Sequence, residues 1–238
     1  MLIRSWNVFH GNTSPPTRRS YLEEMVRLAS ADAPDVLCLQ EVPVWALRRL
    51  AGWSGMRALG DIARGPRLPQ PLDRLVTGLN PGLFRSLFTG QANAILLRHE
   101  LTAHERSVVV LNESSFLGIG AGERRICQLV RLERPAAGTF VLAHMHATHT
   151  PGNAQAQAER AVDHLLALAR PHEPAVMAGD FNLIPDLRHL GFTGEGPGID
   201  HILVRGDDPS PLEVWRDERR RLDGMLLSDH APVERTMT

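Results

Sequence analysis

Short apolar runs alternate along this chain with stretches whose apolar residues recur every three or four positions, a pattern that predicts an α/β layered fold. Strands are expected over residues 2–8, 35–40, 92–97, 107–111, 124–133, 139–147, 175–178, 201–204 and 211–215, with a last one after Pro232. Leu22, Met25 and Ala29 mark a first helix. Ala158, Ala161, Val162, Leu165, Leu166 and Ala169 line a second across residues 151–170, where Pro151 suits the first turn. The run 35–40 is rich in apolar residues and follows Pro34, so it reads as a buried strand ending at Glu41. A carboxylate then stands at the edge of a sheet. Between residues 52 and 90 the periodicity loosens, and Pro66, Pro69, Pro71 and Pro81 punctuate a stretch that also holds Leu79, Leu83, Phe84, Leu87 and Phe88. The expectation is one domain over residues 1–238 with an irregular excursion at about 52–90.

Composition narrows the chemistry. With 238 residues, 43% of them hydrophobic, the chain can bury a full core without disulfide or metal staples. All 26 residues counted as Lys+Arg are arginine. A P-loop lysine, a Schiff-base lysine and the phosphate-pairing lysine of protein kinases are therefore excluded. A net charge of -1 gives no global cationic field for a nucleic acid or an anionic membrane, although local patches remain open. Cys38 and Cys127 lie in apolar runs and read as buried free thiols of a reducing compartment. The first residues lack the basic-then-apolar signature of a secretory leader, and no later run approaches spanning length. A soluble cytoplasmic protein without a transmembrane segment is expected, and no obligate protein partner is inferred.

Asn7, Glu41, His146, Asp180, Asn182, Asp200, Asp229 and His230 share a position type: each lies at or just past the end of an expected strand. Strand ends are where rigid elements can converge polar groups. Singly, each has an ordinary structural explanation, such as a turn cap for Asp180 or a satisfied strand histidine for His146. Their number and order point elsewhere.

These residues sit in Trp6-Asn7-Val8, Leu39-Gln40-Glu41-Val42, Asn93-Ala94-Ile95-Leu96 and His144-Met145-His146-Ala147-Thr148, then in Gly179-Asp180-Phe181-Asn182, Gly198-Ile199-Asp200-His201-Ile202 and Ser228-Asp229-His230-Ala231-Pro232. In that order, over nearly the whole chain, they resemble the endonuclease/exonuclease/phosphatase superfamily, which includes deoxyribonuclease I, abasic-site endonucleases, neutral sphingomyelinases and inositol polyphosphate 5-phosphatases. The resemblance implies a four-layer α/β sandwich, two packed mixed β-sheets flanked by helices, and a metal-dependent phosphodiesterase.

A phosphodiester is an anion and repels the hydroxide that must attack it, so a hard divalent cation such as Mg²⁺ or Mn²⁺ is the expected cofactor. The resemblance makes Glu41 its leading ligand, with Asn7 and Asp229 around it. It implies that Asp180 orients and deprotonates the attacking water, and that Asn182 donates to the phosphorus centre. His230 would donate to the phosphate during attack, Asp200 would hold its ring and raise its pKa, and His146 would be a second donor. None of these positions is replaced, which argues against a noncatalytic interaction module. Two departures stand out. Relatives usually have Asn-x-His where this chain has His144-Met145-His146, and serine where Leu97 precedes Arg98. His10 and His149 match no family role and are read as structural.

Substrate choice lies outside these motifs. The histidine version of the 144–148 strand end is closer to deoxyribonuclease I and the sphingomyelinases than to the abasic-site enzymes, whose Tyr-x-x-Asn element is missing; the sole tyrosine, Tyr21, is distant in sequence. Nucleic acid is the expected substrate of a nuclease-like enzyme, endonuclease or exonuclease, with Arg216, Arg219, Arg220 and Arg221 near the last motif diluted by Glu213, Asp217, Glu218 and Asp223. A phospholipid or a soluble phosphate ester is the alternative, the former because the excursion places leucine and phenylalanine near Arg74 and Arg85.

Overall fold

The expected apolar runs pair into two sheets. The structure, a computed structural model, describes residues 1–69, 72–77, 79–112, 124–135 and 137–237, and of residues 73, 74 and 77 the backbone alone. Pro71 and the Arg74 side chain lie outside the described residues. In chain order the elements are β1 (Leu2–Asn7), β2 (Thr13–Ser14), α1 (Leu22–Ser30), β3 (Val36–Val42), α2 (Leu50–Ser54), β4 (Arg57–Arg64), α3 (Leu72–Thr77), α4 (Pro81–Phe88), β5 (Gln91–Leu97) and β6 (Thr102–Val110). They continue as β7 (Ile126–Arg134), β8 (Gly138–His146), α5 (Pro151–Leu168), β9 (Ala175–Asp180), β10 (Asp200–Arg205), β11 (Glu213–Val214), β12 (Arg221–Leu222), β13 (Met225–Leu227) and β14 (Val233–Thr236).

One sheet runs β11-β14-β1-β3-β5-β4 and the other β10-β9-β8-β7-β6, while β12-β13-β2 form a small third sheet. Both large sheets are mixed: β1 and β3 are parallel, as are β8 and β9, and the other pairs are antiparallel. Ile3, Val36, Cys38, Ile95, Val130, Leu142, Val176 and Ile202 fill the space between the sheets. The α1 and α2 helices pack on the outer face of the first sheet through Leu22, Met25 and Leu50 against Leu37 and Leu39. Ala158, Ala161 and Leu165 of α5 pack on the outer face of the second, against Val141, Ala143 and Met145. The result is the four-layer α/β sandwich. Strands buried on both faces are apolar at most positions, which makes them readable in the sequence. Cys38 and Cys127 are free and fully buried.

Strand alternation also builds the site. Side chains two apart share a face, so the parity that sends Ile3, Val36, Leu142, Val176 and Ile202 into the inter-sheet core carries Asn7, Gln40, His146, Asp180 and Asp200 along the same inner faces to the strand ends. The inner layer changes from apolar to polar there.

The stretch 52–90 is less irregular than its sequence predicts. It contains β4, the edge strand of the first sheet, and the two short helices α3 and α4. An edge strand only partly buried on either face needs few apolar residues, and β4 carries Arg57, Gly60, Asp61 and Arg64 among them, so no hydrophobic alternation announced it. Arg85 of α4 is buried and ties this region to the first site loop, donating to Thr17 O and Arg18 O at 2.9 Å each and to Asn12 Oδ1. For the same reason β6, half exposed throughout, begins at Thr102, ahead of the expected 107.

Candidate functional site

Five strand ends and the loops that follow them bring polar groups to one end of the sandwich. Asn7 is buried at the end of β1; its Nδ2 donates to Asp180 Oδ2 at 3.0 Å and its Oδ1 accepts from Phe9 N at 3.0 Å. Asp180 is buried at the end of β9, and its other oxygen accepts from Asn182 N at 2.9 Å. His146 and Asp180 are paired neighbours across parallel β8 and β9, with His146 Nε2 3.5 Å from Asp180 Oδ2. That close approach depends on Gly179, whose φ of +149° and tight contact with Met145 O leave no room for a β-carbon.

Glu41 reaches the site by breaking the alternation. The pairing of β3 with β5 slips between Leu39 and Val42, and Glu41 adopts a left-handed φ of 55°. Its Oε2 lies 3.4 Å from His10 Nε2 and its Oε1 3.9 Å from His146 Nε2. Burial, with a smaller contribution from the Asp180 charge, pushes its pKa up to about 7 against the opposing effects of an Asn7 hydrogen bond and the Arg125 charge. Phe9, His10, Asn182 and Ser228 also carry positive φ, so backbone strain gathers around this end of the molecule.

His230 and Asp200 form a pair. Nδ1 of the imidazole lies 2.8 Å from Asp200 Oδ2, which leaves Nε2 facing Asp180 Oδ2 at 3.8 Å. Burial opposes the imidazolium, yet the Asp200 hydrogen bond and the charges of Asp200, Asp180 and Asp229 outweigh it and lift the His230 pKa to about 10. The loop carrying His230 is fixed from behind: Trp6 Nε1 donates to His230 O at 2.9 Å, and buried Arg220 donates through Nη1 to Leu227 O, Ser228 O and His230 O at 3.0, 3.0 and 3.1 Å.

His146 is the opposite kind of histidine. Gln91 Nε2 donates to its Nδ1 at 2.9 Å, which leaves the proton of the neutral ring on Nε2, toward the carboxylates. Burial first, and then the charge of Arg125, hold its pKa well below the usual histidine range. Arg125 itself is buried, with Nη1 at 2.9 and 3.0 Å from the two ring nitrogens.

Asn182 is held by His149, whose Nδ1 donates to its Oδ1 at 2.9 Å, while Asn182 Nδ2 donates to Ala147 O at 2.9 Å. Asp229 is exposed, 3.4 Å from Ser228 Oγ, and acts on the pair through its charge. The geometry thus draws together Asn7, Glu41, His146, Asp180, Asp200 and His230. Asp229 and Asn182 stand at the margin.

Sequence reasoning missed three neighbours. His10 faces Glu41 and shares its other nitrogen with Thr89 Oγ1 at 3.3 Å, His149 orients Asn182, and Arg125 adds a buried cation. The signal for Arg125 was present as a charge immediately before the apolar run 126–132. His10 carried none, because only the left-handed turn after β1 points it at Glu41. The unusual His144 is also accounted for. Its Nε2 accepts from Gln40 Nε2 at 2.6 Å and its Nδ1 donates to Gln128 Oε1 at 2.8 Å, with Gln40 continuing to Ser5 Oγ and Gln128 to Asp61 Oδ2. Arg98, beside the second departure, pairs with Asp35.

Asp180, Asp200 and His230 each place one atom within 4.8 Å of the others. Within this group the Asp200–His230 hydrogen bond occupies one carboxylate oxygen and one ring nitrogen.

A four-layer sandwich thus gathers these side chains at one end. The model of the endonuclease/exonuclease/phosphatase family matches residues 5–230, and the chain belongs to that family. Among solved structures it is similar to a conserved protein of unknown function from Enterococcus faecalis V583, with a TM-score of 0.75 at 18% identity over 100% of this chain and 99% of that one. It is also similar to a mannosyl-6-phosphatase from Bacteroides thetaiotaomicron VPI-5482, with a TM-score of 0.73 at 17% identity over 100% and 99% of the two chains. TDP2 from Caenorhabditis elegans aligns with a TM-score of 0.64 at 17% identity over 100% of this chain and 74% of that one. No curated protein sequence matches the chain. No helix among the described residues is long and apolar enough to cross a membrane.

Proposed function

We propose that this chain is a divalent-cation-dependent phosphodiesterase in which Asp180 handles the attacking water and His230 is the cationic donor to the phosphate. The observation that carries the reading is the Asp200–His230 pair, which keeps a proton on the imidazole and aims Nε2 at the buried Asp180 carboxylate. Asp180 is oriented by Asn7 and by its bond to Asn182 N, and so can fix a water and take its proton. His230 donates to a phosphate oxygen as charge builds there, and Asp200 keeps the ring in register. His146 adds a neutral Nε2–H donor, and Arg125 supplies positive potential without spending a proton. Asn182 offers its second amide hydrogen.

The residues fit a hard divalent cation. Glu41 is a carboxylate whose charge burial disfavours, set beside Asn7, and oxygen donors of this kind suit Mg²⁺ or Mn²⁺. Glu41 would hold the ion, with Asn7 and Asp229 as the remaining protein ligands. When bound, it supplies charge neutralisation and polarisation of the phosphoryl oxygen.

The nuclease reading draws less support from the arginine cluster than its composition promised. Arg219 stacks on Trp215 and pairs with Glu234 and Asp32, Arg220 is buried in the loop clamp, and Arg221 donates to Gly224 O. These three are ion-paired or structural, whereas Arg216 is exposed and makes no ion pair among the described residues. Hydrolysis of bis(p-nitrophenyl) phosphate against its monoester, then of plasmid DNA, RNA and phospholipid micelles with Mg²⁺ or Mn²⁺, tests the proposal. Cation-dependent turnover of the diester above the monoester is expected. A chain active on the monoester alone would refute it.

A further inference from the structure

The helices α3 and α4 and the turn between them present four leucines to solvent: Leu72, Leu75, Leu79 and Leu83 are 50, 74, 80 and 58% exposed. These helices do not lack an inner side. Phe84 and Phe88 stack with ring centroids 5.6 Å apart, and Arg85 anchors α4 to the site loop. The outward leucines are thus a second apolar face, larger than the scattered single residues of an ordinary surface. The segment that carries them has a surplus of positive charge. Residues 44–91 hold seven arginines and two aspartates, in a chain whose net charge is -1. Arg18, Arg48 and Arg67 are exposed and make no ion pair among the described residues. Two of them sit against α4, where Arg67 N donates to Phe88 O at 3.2 Å and Arg18 O accepts from Arg85.

We propose that the α3–α4 face docks on an anionic lipid bilayer, with the leucines in the interfacial layer and the arginines at the headgroups. Exposed leucines beside unpaired arginines match both halves of such a surface. A nucleic acid would use the arginines and leave the leucines in water. A second copy of this chain would set like charges against each other. The face also leads to the chemistry: α4 ends at Thr89, Thr89 Oγ1 meets His10 Nδ1, and His10 Nε2 lies 3.4 Å from Glu41. Docking goes beyond the hydrolytic reading and stands without it.

Cosedimentation of the full chain with vesicles of phosphatidylglycerol and phosphatidylcholine, and of phosphatidylcholine alone, tests it. Binding to the anionic vesicles is expected, and Leu75→Ser with Leu79→Ser should weaken it by about tenfold or more. Tm and hydrolysis of a small activated diester should not change in that variant. Equal vesicle binding by the variant overturns the proposal, as does failure of the parent to bind anionic vesicles. A leucine-dependent dimer in solution, or leucine-dependent binding of duplex DNA without vesicle binding, would also overturn it.

Discussion

Asp200 Oδ2 and His230 Nδ1 lie 2.8 Å apart although 30 residues separate them in the chain. The first residue begins β10 and the second follows β13 on a loop that Arg220 and Trp6 clamp. A carboxylate so placed governs where the proton of the imidazole resides.

Asp200→Asn should therefore lower the His230 titration from near 10 toward the ordinary histidine value, read by nuclear magnetic resonance of the imidazole. Cation affinity should barely move. The linkage has a definite sign. The folded pKa of His230 lies above the unfolded one, so what its protonation contributes to stability is lost as pH rises from about 6.5 through about 10, while on the acid side burial raises the Asp200 pKa and opposes the charged pair. Urea denaturation across that window should show the loss in the parent and little of it in Asp200→Asn. An unchanged histidine titration with lost cation binding would place Asp200 on the metal instead.

Glu41→Gln should cut diester turnover by about a hundredfold or more and weaken Mg²⁺ or Mn²⁺ binding measured by calorimetry. His10→Ala removes a group that touches Glu41 rather than substrate, so the effect expected is a smaller, roughly tenfold loss of cation affinity. Full hydrolysis by the parent in excess chelator would rule out the cation requirement.

Asp180→Asn and His230→Ala should each lower kcat by about 10²–10⁴-fold while circular dichroism and Tm stay near the parent's. Turnover close to normal in either variant would remove that residue from the chemical step.

Arg220→Leu removes a donor from three carbonyls around His230, leaving His230 O to Trp6 alone, and should cost about 2–4 kcal/mol in urea denaturation. Because Arg220 acts by placing the loop, kcat should fall through His230, and cation affinity should fall less than in Glu41→Gln, since of the ligands only Asp229 lies on that loop. A variant of full stability and full kcat would mean the loop holds its shape without the clamp.

Gly179→Ala forces a β-carbon against Met145 O in the tightest contact between β8 and β9, and a loss of about 2 kcal/mol or more is expected in denaturation. The paired residues His146 and Asp180 should separate with it, so the activity of the folded fraction should also drop.

By itself the sequence determined the layers and most of the site. Its apolar runs mark strands buried on both faces, and strand parity then commits Asn7, His146, Asp180 and Asp200 to one inner surface, because side-chain alternation is a local property of extended backbone. Tertiary structure alone decided the rest. The β4 strand needs few apolar residues because it pairs along one edge only, with β5, and is partly exposed on either face. Glu41 turns inward only because the pairing of β3 with β5 slips and its backbone becomes left-handed. His10, Arg125 and Arg220 acquire their roles from burial beside groups far away in the chain. A charge written in the sequence does not reveal its partner, and only packing decides whether an arginine grips a ligand, stacks on Trp215 or holds a loop in place.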